Sequence, residues 1–148
     1  MSPTYMLDTN ICIYLMKHQP PEVAARFAGC YVGEVAISAI TLAELEYGVT
    51  CSGGRRAQNR EALDLLVQDI PAVSFDAAAA SAYGPIRVAA RDRNRDALDK
   101  LIAAHAVALD VVLVTNNEAK FRGYPGLRIE NWVGGADVGK RSDRPPAT

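Results

Sequence analysis

Four short segments of this 148-residue chain carry side chains able to do polar chemistry. The first is Asp8, which ends the apolar run Tyr5-Met6-Leu7 and precedes Thr9-Asn10. A carboxylate beside buried apolar residues is costly unless a cation or hydrogen-bond donors meet it. Two roles satisfy that demand equally, a cap for the Thr9-Asn10 turn and a ligand for a metal ion. The second segment holds Glu44 and Glu46. Two positions apart on a helix, they point to nearly opposite sides, so only one can face a site. Gly48, four residues after Glu44, leaves open space beside it. Periodicity alone also permits either glutamate to be a solvated surface acid. The third is Asp99, at the border of the apolar face made by Leu98, Leu101, Ile102 and Leu109, with the small Ala103 and Ala106 leaving a narrow, uncrowded approach. Its alternative is a boundary acid near a helix N-terminus, where negative charge is favourable. Asp96 fits that alternative better, as an N-cap. The fourth is Thr115-Asn116-Asn117, directly after the apolar run Val111–Val114.

The elements that must position these residues can be read from hydrophobic spacing. Tyr5–Leu7, Val35–Ser38, Pro71–Phe75, Val111–Val114 and Leu127–Ile129 read as short buried strands. Between them, helices are expected over Asn10–Lys17, with Thr9 as N-cap, and over Glu22–Ala28 after the Pro20-Pro21 break. Further helices are expected over Thr41–Val49, with Leu42, Leu45 and Val49 on one face, and over Arg55–Gln68. An Ala-rich helix capped by Asp76 runs through Ala82, bends at Gly84-Pro85 and resumes to Ala90. Ala97–Leu109 completes the set. Strands alternating with helices imply an α/β fold, a mostly parallel sheet covered on both faces. In such a sheet, sites form outside the carboxyl ends of the strands. Asp8 and Thr115-Asn116-Asn117 therefore belong on one rim.

Composition bounds the function. Hydrophobic residues make up 49% and charged residues 22%, which suits one folded domain of this length. Residues 1–133 form that domain, and Gly134–Thr148, rich in Gly, Pro and charge, reads as a flexible tail. A net charge of −1 excludes coating of nucleic acid by bulk positive charge. Cys12, Cys30 and Cys51 have no ligand spacing and read as small packing residues in a reducing cytoplasm. No apolar run is long enough for a membrane span, and Asp8 interrupts any signal-like segment.

In chain order, Leu7-Asp8-Thr9-Asn10, Ile37-Ser38-Ala39-Ile40-Thr41-Leu42-Ala43-Glu44-Leu45, Asp99-Lys100-Leu101-Ile102-Ala103-Ala104-His105-Ala106 and Leu113-Val114-Thr115-Asn116-Asn117 resemble the successive blocks of the PIN-domain ribonucleases. The match is nearest to the VapC toxins of bacterial VapBC toxin–antitoxin modules, and Gly126–Trp132 resembles the closing block of that subgroup. The resemblance spans Tyr5 to Trp132. It implies a PIN-like three-layer fold and a Mg²⁺- or Mn²⁺-dependent endoribonuclease. Asp8, Glu44 and Asp99 match its first three acidic positions, with Asp8 and Asp99 as metal ligands and Glu44 binding directly or through water. Thr9, Ser38, Thr115, Asn116 and Asn117 match positions lining the pocket. Such ions prefer hard oxygen donors, and a bound cation relieves repulsion between packed carboxylates. Many relatives place a fourth acid just before the Phe of the next segment. Here that position is Lys120, before Phe121, and Glu118 is off register. A lysine there can pair with the carboxylates and oppose metal binding. The resemblance further implies a structured RNA substrate such as tRNA, a VapB-type antitoxin and a toxin homodimer within a larger toxin–antitoxin assembly. Pro21–Ala28 and Arg55–Leu66 are the partner surfaces it suggests.

Other candidates have plainer readings. His105 lies among apolar neighbours on its helix and reads as a core histidine with one satisfied hydrogen bond. Trp132 packs the last strand. Arg87, Arg91, Arg93 and Arg95 read equally as a solvated connection or as a phosphate-holding rim beside the acids. Arg55, Arg56 and Arg60 read as solvated. Two other functions compete with cleavage: an inactive domain that binds RNA or protein, favoured by Lys120, and phosphoryl transfer through an aspartyl intermediate. The latter wants a second acid at Asn10, and a phosphate-cradling G-x-x-x-x-G-K is absent.

Overall fold

A computed structural model of the protein describes residues 2–91 and 96–134. The elements are β1 (Tyr5–Leu7), α1 (Thr9–Lys17), α2 (Pro21–Ala28), β2 (Val35–Ser38), α3 (Ala39–Thr50), a 3-10 turn (Gly53–Arg55), α4 (Arg56–Asp69), β3 (Ala72–Val73), α5 (Ala77–Ala89), α6 (Ala97–Leu109), β4 (Val112–Val114), α7 (Glu118–Phe121) and β5 (Arg128–Glu130). Every strand pairing is parallel, and the sheet runs in the order β3-β2-β1-β4-β5.

Side-chain alternation along the strands divides the interior in two. Leu7, Val35, Ile37 and Val114 face one core with Ile11, Leu45, Leu63, Leu66 and Trp132. Their neighbours Met6 and Leu113 face the other core with Ile86, Ile102, Ala103, Ala106 and Phe121. The α1–α4 helices cover the first face and α5 and α6 the second, which gives the expected three layers. Adjacent β1 and β4 are in register, with Leu7 beside Val114. From β1 the chain moves outward one way to β2 and β3, then returns to β4 and β5 on the other side. The crevice at the carboxyl ends of β1 and β4 is thus the point where strand order reverses, the usual ligand position in an open parallel sheet.

Several boundaries differ from expectation. Asp8, not Thr9, caps α1: its backbone is extended and its side chain accepts the Ile11 N–H. The Thr9 side chain is engaged elsewhere, with Glu44. Pro21 opens α2, where its missing N–H costs nothing. α3 begins at Ala39 because the Ser38 hydroxyl caps it. α5 runs unbroken through Gly84-Pro85, and Asp76 caps it as expected. Its side-by-side packing on α6 offsets the hydrogen bond that Pro85 removes. The short α7 was not expected. No helix among the described residues is long and apolar enough to cross a membrane. Of the expected tail only Gly134 is described, and its N–H is held by Glu22 at 2.9 Å. The rest of that segment, and Arg93 and Arg95 of the basic stretch, lie outside the described residues.

Candidate active site

Asp8 emerges from β1 into the crevice and is only 6% exposed. Ile11 N–H donates to its Oδ1 at 3.0 Å. The Thr115 side chain, at the end of β4, hydrogen-bonds it as well. Burial raises the Asp8 pKa; the Thr115 and Ile11 hydrogen bonds oppose that, and the nearby Asp99 carboxylate adds to it. The two roles open to Asp8 in the sequence are therefore compatible, since it caps α1 and stands at the rim beside a second acid.

Asp99 occupies the first turn of α6. Lys120 Nζ lies 3.0 Å from its Oδ2 and 3.7 Å from Asp96 Oδ1. The pairing of Lys120 with the carboxylates is as the sequence suggested. Its pKa is raised, chiefly by the hydrogen bond to Asp99. Asp96 stands at the N-cap position but makes no side-chain cap bond, and its carboxylate faces the lysine instead. Sequence reasoning passed over this role. The signal was the spacing that places Asp96 at the N-cap, three residues before Asp99 in the first turn of α6.

Glu44 approaches from α3. Thr9 Oγ1 donates to its Oε1 at 2.5 Å, which ties it to the residue next to Asp8. Glu46 turns away and pairs with Arg60 of α4, so one glutamate of the two faces the site, as the helical spacing requires. A Cβ built on Gly48 would meet nothing within 4 Å, in line with the open space expected there. A groove of about 840 Å³ runs from this point between α1, α3 and α4, with Glu44, Lys17 and Arg55 among its lining. It lies beside the Asp8–Asp99 pair, not over it. Among the described residues no three His, Cys, Asp or Glu side chains are gathered closely enough to hold an ion alone. The acids form a pair with a flanking glutamate, not one tight cluster.

The remaining polar positions divide. Thr115 is fully buried, and its Oγ1 accepts the Asn117 N–H at 3.0 Å. Asn116 is exposed and donates to the Tyr14 hydroxyl at 3.2 Å. Asn117 caps α7 by accepting the Lys120 N–H at 3.3 Å. Ser38 does not line open space: it is fully buried, accepts the Ile40 N–H at 3.1 Å and bonds His105 Nδ1 at 2.8 Å. α6 crosses over the end of β2 there and seals it. His105 is a core residue, edge-on to Phe75, with Nε2 lacking a partner among the described residues. Burial lowers its pKa. Glu118 accepts from Asn131 at 3.2 Å. Arg87 is exposed and bonds the Tyr83 hydroxyl at 2.8 Å; Arg91 is exposed too. Trp132 packs at the end of β5, where its Nε1–H donates to Glu130 at 3.0 Å and the Arg26 guanidinium lies 5.3 Å from its ring. Arg26 also pairs with Glu130, a buried ion pair the sequence did not announce.

A parallel three-layer sheet with an acid at the crevice of β1 and β4 and a second close enough to act on it defines a PIN-type domain, and the PIN domain family model matches residues 5–127. The tRNA(fMet)-specific endonuclease VapC of Shigella flexneri is 39% identical over 130 residues, covering 86% of this chain and 97% of the relative. Ribonuclease VapC2 of Rickettsia felis is 38% identical over 136 residues, with the same coverage. The solved DNA-bound VapBC of Salmonella typhimurium superposes with a TM-score of 0.81 at 34% identity, covering 90% of this chain and all of that one. The chain belongs to the PIN-domain family, on its VapC ribonuclease branch.

Proposed function

We propose that this protein is a Mg²⁺- or Mn²⁺-dependent endoribonuclease toxin that hydrolyses phosphodiester bonds in a structured RNA, with tRNA the leading substrate. The observation that carries the reading is that Asp8, at the β1–β4 crevice, lies close enough to Asp99 for each charge to act on the other, with Glu44 tied to Thr9 alongside. The donor set suits a hard divalent cation, because it consists of carboxylate and hydroxyl oxygens. The buried Asp8 carboxylate, raised in pKa by burial and by Asp99, has its charge disfavoured until a cation arrives. Asp8 and Asp99 would hold the ion, with Glu44 beside them directly or through water. When bound, the ion supplies orientation of a water for in-line attack and stabilisation of the developing phosphate charge.

The chain's own residues prepare that chemistry. Ile11 N–H and Thr115 fix the Asp8 carboxylate, and the Thr9 hydroxyl holds one oxygen of Glu44. The exposed Arg87 and Arg91 would supply cationic contacts for substrate phosphates. The tRNA assignment draws support from the relative named as tRNA(fMet)-specific. The VapBC complexes among the similar structures support a cognate VapB-type antitoxin; toxin homodimers inside a larger assembly, acting in the cytoplasm, are part of the same proposal.

The test is sequencing of RNA 5′ ends after induced expression of the wild type and of Asp8→Asn. New ends at a discrete site should accumulate with the wild type alone, and require Mg²⁺ or Mn²⁺ when purified protein and RNA are mixed. Identical end profiles for the two proteins would overturn the reading. The Lys120–Asp99 ion pair favours one rival, an inactive domain that binds RNA or protein. RNA binding without metal-dependent cleavage would select it.

A further inference from the structure

Lys120 is the feature that sets this pocket apart from the acidic constellation the family resemblance implies, and a role for it in metal binding rests on the nuclease reading of the site. Its ammonium bridges Asp99 at 3.0 Å and Asp96 at 3.7 Å. The placement is built. Asn117 caps α7 through the Lys120 N–H, and α7 aims the side chain across the crevice at α6. Asp96, at the N-cap position of α6, and Asp99, in its first turn, receive it. The lysine and Asp99 side chains are 30% and 20% exposed, so their attraction is screened less than that of a fully solvated pair.

We propose that Lys120 is a resident counter-cation that occupies the Asp96 side of Asp99 and restricts the pocket to one divalent ion, held by Asp8 and Asp99. A metal ion approaching Asp99 from that side must displace the ammonium or sit against a like charge. The Asp8 side meets weaker competition, because Asp8 is hydrogen-bonded by Thr115 and Ile11 and the ammonium pairs directly with Asp99 and Asp96 while acting on Asp8 only through its longer-range charge. The ammonium also offsets repulsion between Asp8 and Asp99 before metal arrives, which keeps the carboxylates in place.

Calorimetric titration of the full chain with Mn²⁺ tests this without reference to cleavage. The wild type should bind one Mn²⁺. Lys120→Met should bind its first Mn²⁺ about tenfold more tightly, about 1.4 kcal/mol. Lys120→Glu should take up a second ion, counted by the Mn²⁺ spin-resonance signal. Lys120→Arg, which keeps the charge, should match the wild type. Should Lys120→Met fail to fold, judged by circular dichroism, Lys120→Gln replaces it. Affinity in the neutral variant within twofold of the wild type, or two ions in the wild type, would overturn the proposal. If the wild type still cleaves RNA in Mn²⁺ in that case, the nuclease reading stands and only the role of Lys120 falls. Absence of Mn²⁺ binding in wild type and variants alike would remove both.

Discussion

Asp8 shows why a single carboxylate can be read two ways. Its Oδ1 accepts the Ile11 N–H, a capping bond that the residue spacing permits. Its position after β1 also puts it at the crevice with Asp99. Spacing could not separate these roles because both are met by one side chain. They separate on substitution. Asn is as good a cap as Asp, whereas Ala removes the acceptor at a cost of about 1 kcal/mol. In metal-free protein, Asp8→Asn should be as stable as the wild type or more so, since it removes a buried charge. Asp8→Ala should lose about 1 kcal/mol relative to Asp8→Asn. Both should lack cleavage. Urea unfolding with a chelator present, paired with the cleavage assay, reads the two roles independently. Equal stability of the Asn and Ala variants would show that the cap bond contributes nothing. Lys120 was legible at this scale as well, because a lysine placed among acids has few other partners to choose.

At the scale of elements, α3 and α6 divide what the sequence disclosed from what it concealed. The opposite directions of Glu44 and Glu46 are a consequence of helical spacing, and Glu46 indeed turns to Arg60. The burial of Ser38 and its bond to His105 are not, since they depend on where α6 crosses the end of β2. That contact makes a testable pH dependence. Burial disfavours the charged imidazole of His105, so its pKa is lower folded than unfolded. A group with a depressed folded pKa contributes stability that is full above the unfolded value, about 6.5, and is lost as pH falls toward the folded one. The unfolding free energy should therefore decline as pH drops below about 6.5. In His105→Gln, which keeps a polar group facing Ser38, that part of the decline should vanish while the acid limb set by carboxylates remains. Urea titrations at a series of pH values compare the slopes. Identical slopes in the two proteins would show that His105 titrates alike in both states.

For the whole molecule, alternating strands and helices made the three layers legible, because a parallel strand must bury both faces. Strand order was not legible. Nothing in the apolar runs says that β4 inserts beside β1 and leaves β5 at the edge, yet that order makes the crevice and brings Asp8 to Thr115. Nor did the sequence reveal what fastens the last strand to the rest. Arg26 of α2 reaches Glu130 of β5, across 104 positions, with side chains only 9% and 10% exposed. Trp132 closes the arrangement by donating to Glu130 and lying against the guanidinium, and it meets Tyr5 of β1 edge-on at 5.4 Å. A buried pair of this kind adds little net stability over apolar residues, because desolvation offsets attraction, but removing one partner strands the other charge. Arg26→Met should thus lower the unfolding free energy by about 3 kcal/mol. Glu130→Gln keeps an oxygen for the Trp132 N–H while removing the charge. The double variant Arg26→Met/Glu130→Gln should accordingly recover more than half of that loss. Denaturant unfolding of the two single variants and the double measures the coupling. If the double variant is no more stable than Arg26→Met alone, the loss comes from the missing guanidinium packing on Trp132 and not from a stranded carboxylate.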